Sequence, residues 1–150
     1  MQYLSINKSF FSIIDFLRDA ITKERKVLYE YTSYGTDLKP HPKTDATGNS
    51  KKYTINPYYL VMKNGRYYLI CNSDEREGLS NFRVDRIKNI KILDEPRRPL
   101  KEIIGDNSLR LDAYVQKHFM MFSGDTTAVT MKIKRYILND VIDFFGLNFR

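Results

Sequence analysis

The chain has no tryptophan, one cysteine and two histidines among its 150 residues. A lone thiol, Cys71, excludes an internal disulfide and suits a reducing cytoplasm. His41 and His118 lie far apart, so with one cysteine they give no zinc spacing, and no metal is expected. No stretch approaches the roughly 18 consecutive apolar residues of a membrane span. Residues 1–10 lack the charged start, long apolar run and cleavage site of a signal peptide. The seven glycines build no phosphate loop. The acids are scattered, mostly beside Lys or Arg, and assemble no nucleophile with a base. The expectation is a binding domain without a cofactor rather than an enzyme.

What is present is ordinary globular material with a basic bias. Apolar residues make up 42% and charged residues 29%, which excludes a disordered or collagen-like chain. A chain of this size buries about 68–70% of its unfolded surface and needs no covalent staple. Twenty-five Lys and Arg face eighteen acids, a net charge of +7 that favours anionic partners. Eleven Tyr and nine Phe suit half-buried strands, and tyrosine also stacks on bases.

The periodicity changes along the chain. Phe10, Ile13, Ile14, Leu17, Ala20 and Ile21 form one helical stripe, with Asn7 or Ser9 as cap and the run Lys23 to Lys26 closing the helix. From Val27 the period is two, a strand. Residues 33–52 are polar and rich in turn formers, and read as a long loop or mobile hairpin tip. Tyr53 to Ile55 restarts strand character, and Asn56-Pro57 interrupts it. Strands over 58–62 and 67–71 flank Asn64-Gly65, a strong hairpin signal because both residues tolerate positive φ. Further strands are expected at 81–85 and 90–93. Five or six short strands joined by hairpins suggest a small barrel.

Residues 94–99 read as a linker. Beyond them, Leu111, Tyr114, Val115, His118 and Phe119 fit a short helix. Phe122 to Asp125 fits a turn, Val129, Met131 and Ile133 a strand, and Ile137 to Phe145 a helix stopped by Gly146. The organisation expected is a lead helix at 1–22, a barrel at 23–95, a linker at 96–108 and a partial α+β extension at 109–150. That extension cannot bury two apolar faces alone. Docking on its own barrel, pairing with a second copy and disorder are the open outcomes, and pairing to make a homodimer is the one favoured.

Two clusters carry the binding argument. Arg83 and Arg86, three apart, can grip one phosphate or carboxylate through planar guanidinium forks. Alternatively, Arg83 pairs with Asp85 on the surface. Strand parity puts Tyr67 and Leu69 toward the core and Arg66 and Tyr68 on the other face, a cation beside a ring. The alternative there is an ordinary amphipathic strand.

In order, Ala20-Ile21, Val27-Leu28-Tyr29-Glu30-Tyr31, Tyr53 to Val61, Asn64-Gly65-Arg66-Tyr67-Tyr68-Leu69 and Phe82-Arg83-Val84-Asp85-Arg86-Ile87 resemble a WYL domain of bacterial transcriptional regulators. The naming triplet Trp-Tyr-Leu reads Tyr67-Tyr68-Leu69 here. Residues 109–150 resemble the start of the extension that often follows such a domain. The resemblance implies an Sm-like, SH3-type β-barrel, mainly β with flanking helices. It maps a basic, aromatic sensing surface onto Tyr31, Tyr68, Arg83 and Arg86, with Lys52 the nearest basic residue to a family arginine. It also implies a ligand-sensing part of a regulator, binding a nucleotide, an oligonucleotide or single-stranded DNA. An attached winged helix-turn-helix domain would read out the change, and the chain would then be part of a longer regulator or a stand-alone sensor. The alternative is a protein–protein interaction or dimerisation module without a small ligand.

Overall fold

The computed structural model describes residues 2–105, 110–118 and 127–145. It opens with α1 (Gln2–Thr22), followed by β1 (Arg25–Tyr34), β2 (Pro40–Pro42), β3 (Lys52–Lys63), β4 (Arg66–Ser73), β5 (Ser80–Arg83), a 3-10 turn (Val84–Arg86) and β6 (Ile87–Pro96). Three short helices come after: α2 (Leu100–Ile104), α3 (Leu111–Lys117) and α4 (Leu138–Phe145). All strand pairs are antiparallel, in the sequence β6, β1, β3, β4, β5, with β2 on the far end of β1.

The helical stripe does what its spacing demands. Ile13, Leu17 and Ala20 are buried against Val27, Tyr29, Ile55, Leu69, Val84 and Ile87. Each fully buried aliphatic side chain contributes roughly 1.5–3 kcal/mol. The helix begins at Gln2, so neither Asn7 nor Ser9 caps it. It ends at Thr22, and the basic run divides: Glu24 turns the chain at φ 54° while Arg25 and Lys26 enter β1.

The strands run longer than expected. Pro57 does not break β3, because it lies past the end of the β1 ladder, beside a register shift in the β4 ladder. A bulge is where a strand accepts proline. The Asn64-Gly65 turn has both residues at positive φ, 52° and 69°, as the hairpin required. The barrel expectation is met in part. Among the described residues β5 pairs with β4 and β6 with β1, and no ladder joins β5 to β6. The sheet is open, and the 3-10 turn connects its two end strands.

Residues 96–108 are not a bare linker, since they contain α2. Nor do residues 129–133 form a strand: they have no regular structure, and Val129 and Met131 are exposed. The helix predicted near 111 is present, and it docks on its own chain. Leu111, Tyr114 and Val115 pack over Tyr68 and Ile70, on the face of the sheet opposite the core. The Lys63 ammonium donates to the carbonyls of Val115 and His118 at the end of α3. The turn at 122–125, the Gly146 stop and Phe119 lie outside the described residues.

Candidate functional site

A cavity of about 340 Å³ opens beside the core. Its aromatic wall comes from three strands: Tyr31 on β1, Tyr53 on β3 and Phe82 on β5. Cross-strand packing holds the rings edge to face, with centroids 5.0 Å apart for Tyr31–Phe82 and 5.5 Å for Tyr53–Phe82. Such pairs add ~0.5–1.5 kcal/mol beyond area burial. The Tyr31 hydroxyl accepts the backbone N–H of Arg83 at 3.0 Å. Burial pushes its phenol above the ordinary range, partly opposed by that hydrogen bond and by the Arg86 charge.

Four cations line the same cavity: Lys43, Lys51, Arg76 and Arg86. Lys43 and Lys51 arrive on a hairpin, one of the two readings of residues 33–52. Thr44 bridges Ser50, and Asp45 Oδ1 accepts the N–H groups of Thr47 and Asn49 at 2.8 and 3.1 Å. That Asx geometry, with Gly48 at φ 84°, closes the turn. The hairpin is tied down by Lys43 N–H to the Tyr31 carbonyl at 2.8 Å and Lys51 N–H to the Lys43 carbonyl at 2.7 Å. The Lys51 ammonium stands 5.0 Å from the Tyr53 ring centroid, and that of Lys43 6.0 Å from Tyr31. Arg86 reaches the cavity from the 3-10 turn, its carbonyl held by the Thr32 hydroxyl at 3.1 Å. Its Nε is buried and has no hydrogen-bond partner among the described residues.

The model of the WYL domain family matches residues 12–92, more than half of the chain. The chain belongs to the WYL-domain family. Proteasome accessory factor B/C (PafBC) of Arthrobacter aurescens is a solved structure of similar fold, with a TM-score of 0.50 and 13% identity over 67% of this chain. The likeness at that identity concerns the fold, and the present chain covers 14% of that protein. No curated protein matches the chain in sequence.

Of the five expected site residues, this WYL domain brings Tyr31 and Arg86 together and leaves three elsewhere. Arg83 does not join Arg86. Its Nε and Nη2 donate to the two Asp85 carboxylate oxygens at 3.0 and 2.6 Å. The strand ends at Arg83, and the 3-10 turn redirects the side chains after it. Three-residue spacing therefore does not put the two arginines on one ligand. Lys52 is paired with Glu30, its cross-strand neighbour, and hangs outside this cavity. Strand alternation makes Lys51, which shares a face with Tyr53, the inward lysine. Tyr68 does lie on the face opposite Leu69, but α3 covers it and leaves it 6% exposed. Tyr67, expected in the core, is half open and packs on Phe10 at 5.7 Å.

Sequence reasoning missed Lys43, Lys51, Arg76, Tyr53 and Phe82 as lining residues of this cavity. The turn signature Asp45 to Asn49 and the parity of Lys51 with Tyr53 were legible. No local pattern marks Arg76. The remaining reactive groups in this WYL domain have structural occupations. Cys71 is fully buried, burial pushes its thiol far up, and its Sγ contacts the Ser80 carbonyl at 3.4 Å. His41 bonds to Asp37, and His118 Nδ1 to the Tyr114 carbonyl at 2.7 Å. No cluster among the described residues is suited to a metal ion, and no described helix is long and apolar enough to cross a membrane.

Proposed function

We propose that this WYL domain is the effector-sensing part of a bacterial transcriptional regulator, and that its cavity binds an anionic ligand carrying a flat ring. The observation that carries this reading is the set of four cations around the Tyr31–Tyr53–Phe82 wall. Arginine forks and lysine ammoniums suit phosphate oxygens, and an aromatic wall suits a base. The cavity volume falls at the small end of the roughly 300–1,000 Å³ usual for small-molecule sites. A nucleotide, or one nucleotide unit of a single strand, is the ligand class we favour.

The site is read as binding rather than catalytic. Its single carboxylate among the described lining residues, Glu75, is already paired with Lys51. We read the open sheet as a partly closed barrel of the Sm-like kind. A DNA-binding domain fused in a longer chain would read out ligand-driven population shifts. The cytoplasm is the compartment proposed. Titration of labelled oligothymidylate and a nucleotide panel tests the reading. Saturable, salt-sensitive binding without product supports it. Silence across the panel rejects it, and product formation makes the domain an enzyme.

A further inference from the structure

Glu75 stands out in the cavity described above, and the inference rests on the ligand reading given there. It lines the wall beside three aromatic rings and four cations. Its Oε2 is 3.2 Å from the Lys51 ammonium. That ammonium is also the one placed over the Tyr53 ring. Glu75 therefore occupies a cation on which an incoming phosphate would depend.

The loop that carries Glu75 is held from beneath. Asn72 is wholly buried, and its Nδ2 donates to the carbonyls of Arg76 at 3.0 Å and Gly78 at 2.8 Å. Its Oδ1 accepts from Asn56 Nδ2 at 3.1 Å. The backbone on either side of the site is thus tethered, while the Glu75 side chain stays 66% exposed. A tethered loop with a solvated carboxylate at its edge lets the side chain swing without moving the wall.

We propose that Glu75 is a resident counter-ion that an anionic ligand must displace from Lys51, and so sets the least negative charge a ligand can carry. A nucleoside brings a ring but no charge to exchange for the carboxylate. A monophosphate gains Lys51 but meets Glu75 close by. A ligand with several phosphates, such as a short single strand, engages Lys43, Arg76 and Arg86 as well and turns the carboxylate out. Glu75 is then a specificity residue for highly charged ligands over mononucleotides.

The test uses the whole chain, fluorescein-labelled short oligothymidylate as probe and adenosine monophosphate as competitor. Glu75→Gln keeps shape and removes charge. It should tighten the probe roughly three- to tenfold, in keeping with an exposed pair plus relief of close repulsion, and make the monophosphate a better competitor. Glu77→Gln is the charge control. It lies two residues on, outside the cavity lining, in an adjoining hollow with Leu79, Tyr114 and His118 that shares Arg76 and Ser80 with the cavity. Screening should hold its effect under about twofold. In a Lys51→Gln background the Glu75→Gln gain should shrink to what relief of repulsion alone supplies. An equal gain from Glu77→Gln, a gain undiminished by Lys51→Gln, or no gain where the wild type binds overturns the counter-ion role and leaves the ligand reading standing. Failure of wild type and every variant to bind overturns both.

Discussion

The Arg83 guanidinium lies fork to fork against the Asp85 carboxylate, with contacts of 3.0 and 2.6 Å, while its backbone N–H holds the Tyr31 hydroxyl. The main chain of Arg83 thus serves the cavity wall, and its side chain serves the far side of the sheet. Arg86, one turn on, has the opposite assignment: its carbonyl is fixed by Thr32 and its side chain lines the cavity.

Substitution separates the two arginines. Arg86→Gln should weaken oligonucleotide binding by about 1.5–3 kcal/mol, the size of a hydrogen bond to a charged group. Arg83→Gln should leave affinity nearly unchanged, because the backbone N–H to Tyr31 survives. Its cost appears in urea unfolding as about 0.5–1 kcal/mol, the value of a partly solvated pair. Equal losses of affinity would show that both side chains reach the ligand.

The tyrosines divide in the same way. Tyr53→Leu retains an apolar wall but removes the flat ring, and should cost ~1–3 kcal/mol if a base stacks there. Tyr68→Ala should instead lower stability by about 3–5 kcal/mol, as for other large aromatic truncations under cover. Binding measured below its melting temperature should then be close to wild type. A Tyr68→Ala protein of normal stability would show that α3 is not seated on that face.

The paired asparagines make a third case. Asn72→Ala leaves the Arg76 and Gly78 carbonyls short of a donor, while the Asn56 amide keeps the Asp74 carboxylate. Each hydrogen bond lost costs about 0.5–1.5 kcal/mol. The loop should loosen before the sheet does. Amide exchange over residues 74–79 should rise, and probe affinity should fall because Arg76 loses its place. Unchanged exchange would mean that the loop keeps its shape without Asn72.

Acid should destabilise the domain through Asp74 and Asp85. Burial raises both carboxyls, but it is outweighed. Hydrogen bonds from Lys26 and Asn56 lower Asp74, and those from Arg83 lower Asp85, with help from the Arg66 and Arg86 charges. Both stay below the ordinary 3.8. A depressed carboxyl contributes stability that is complete above its unfolded value and is lost as pH falls through its folded one. Unfolding free energy should therefore be flat down to about pH 5 and drop steeply below about pH 4. Asp74→Asn should be less stable at pH 7 and show a shallower acid slope. An unchanged slope would remove Asp74 from this account.

The order and kind of elements up to Pro96 were largely legible from the residues alone. Helix period in Phe10 to Ile21, alternation from Val27, and positive-φ tolerance at Asn64-Gly65 are short-range properties, written within a few residues. The aromatic and basic bias likewise underlies the anionic partner proposed above. Tertiary structure decided which rings and cations meet. Lys51 rather than Lys52 faces Tyr53 because the strand alternates, and Lys52 finds Glu30 across the ladder. Arg76 belongs to the site because a buried Asn72 folds its loop back over β4. Tyr68 is a packing residue because a helix more than forty residues later lies on it. Each of these outcomes depends on a partner distant in sequence, and spacing along the chain carries no record of a contact made only when the chain returns.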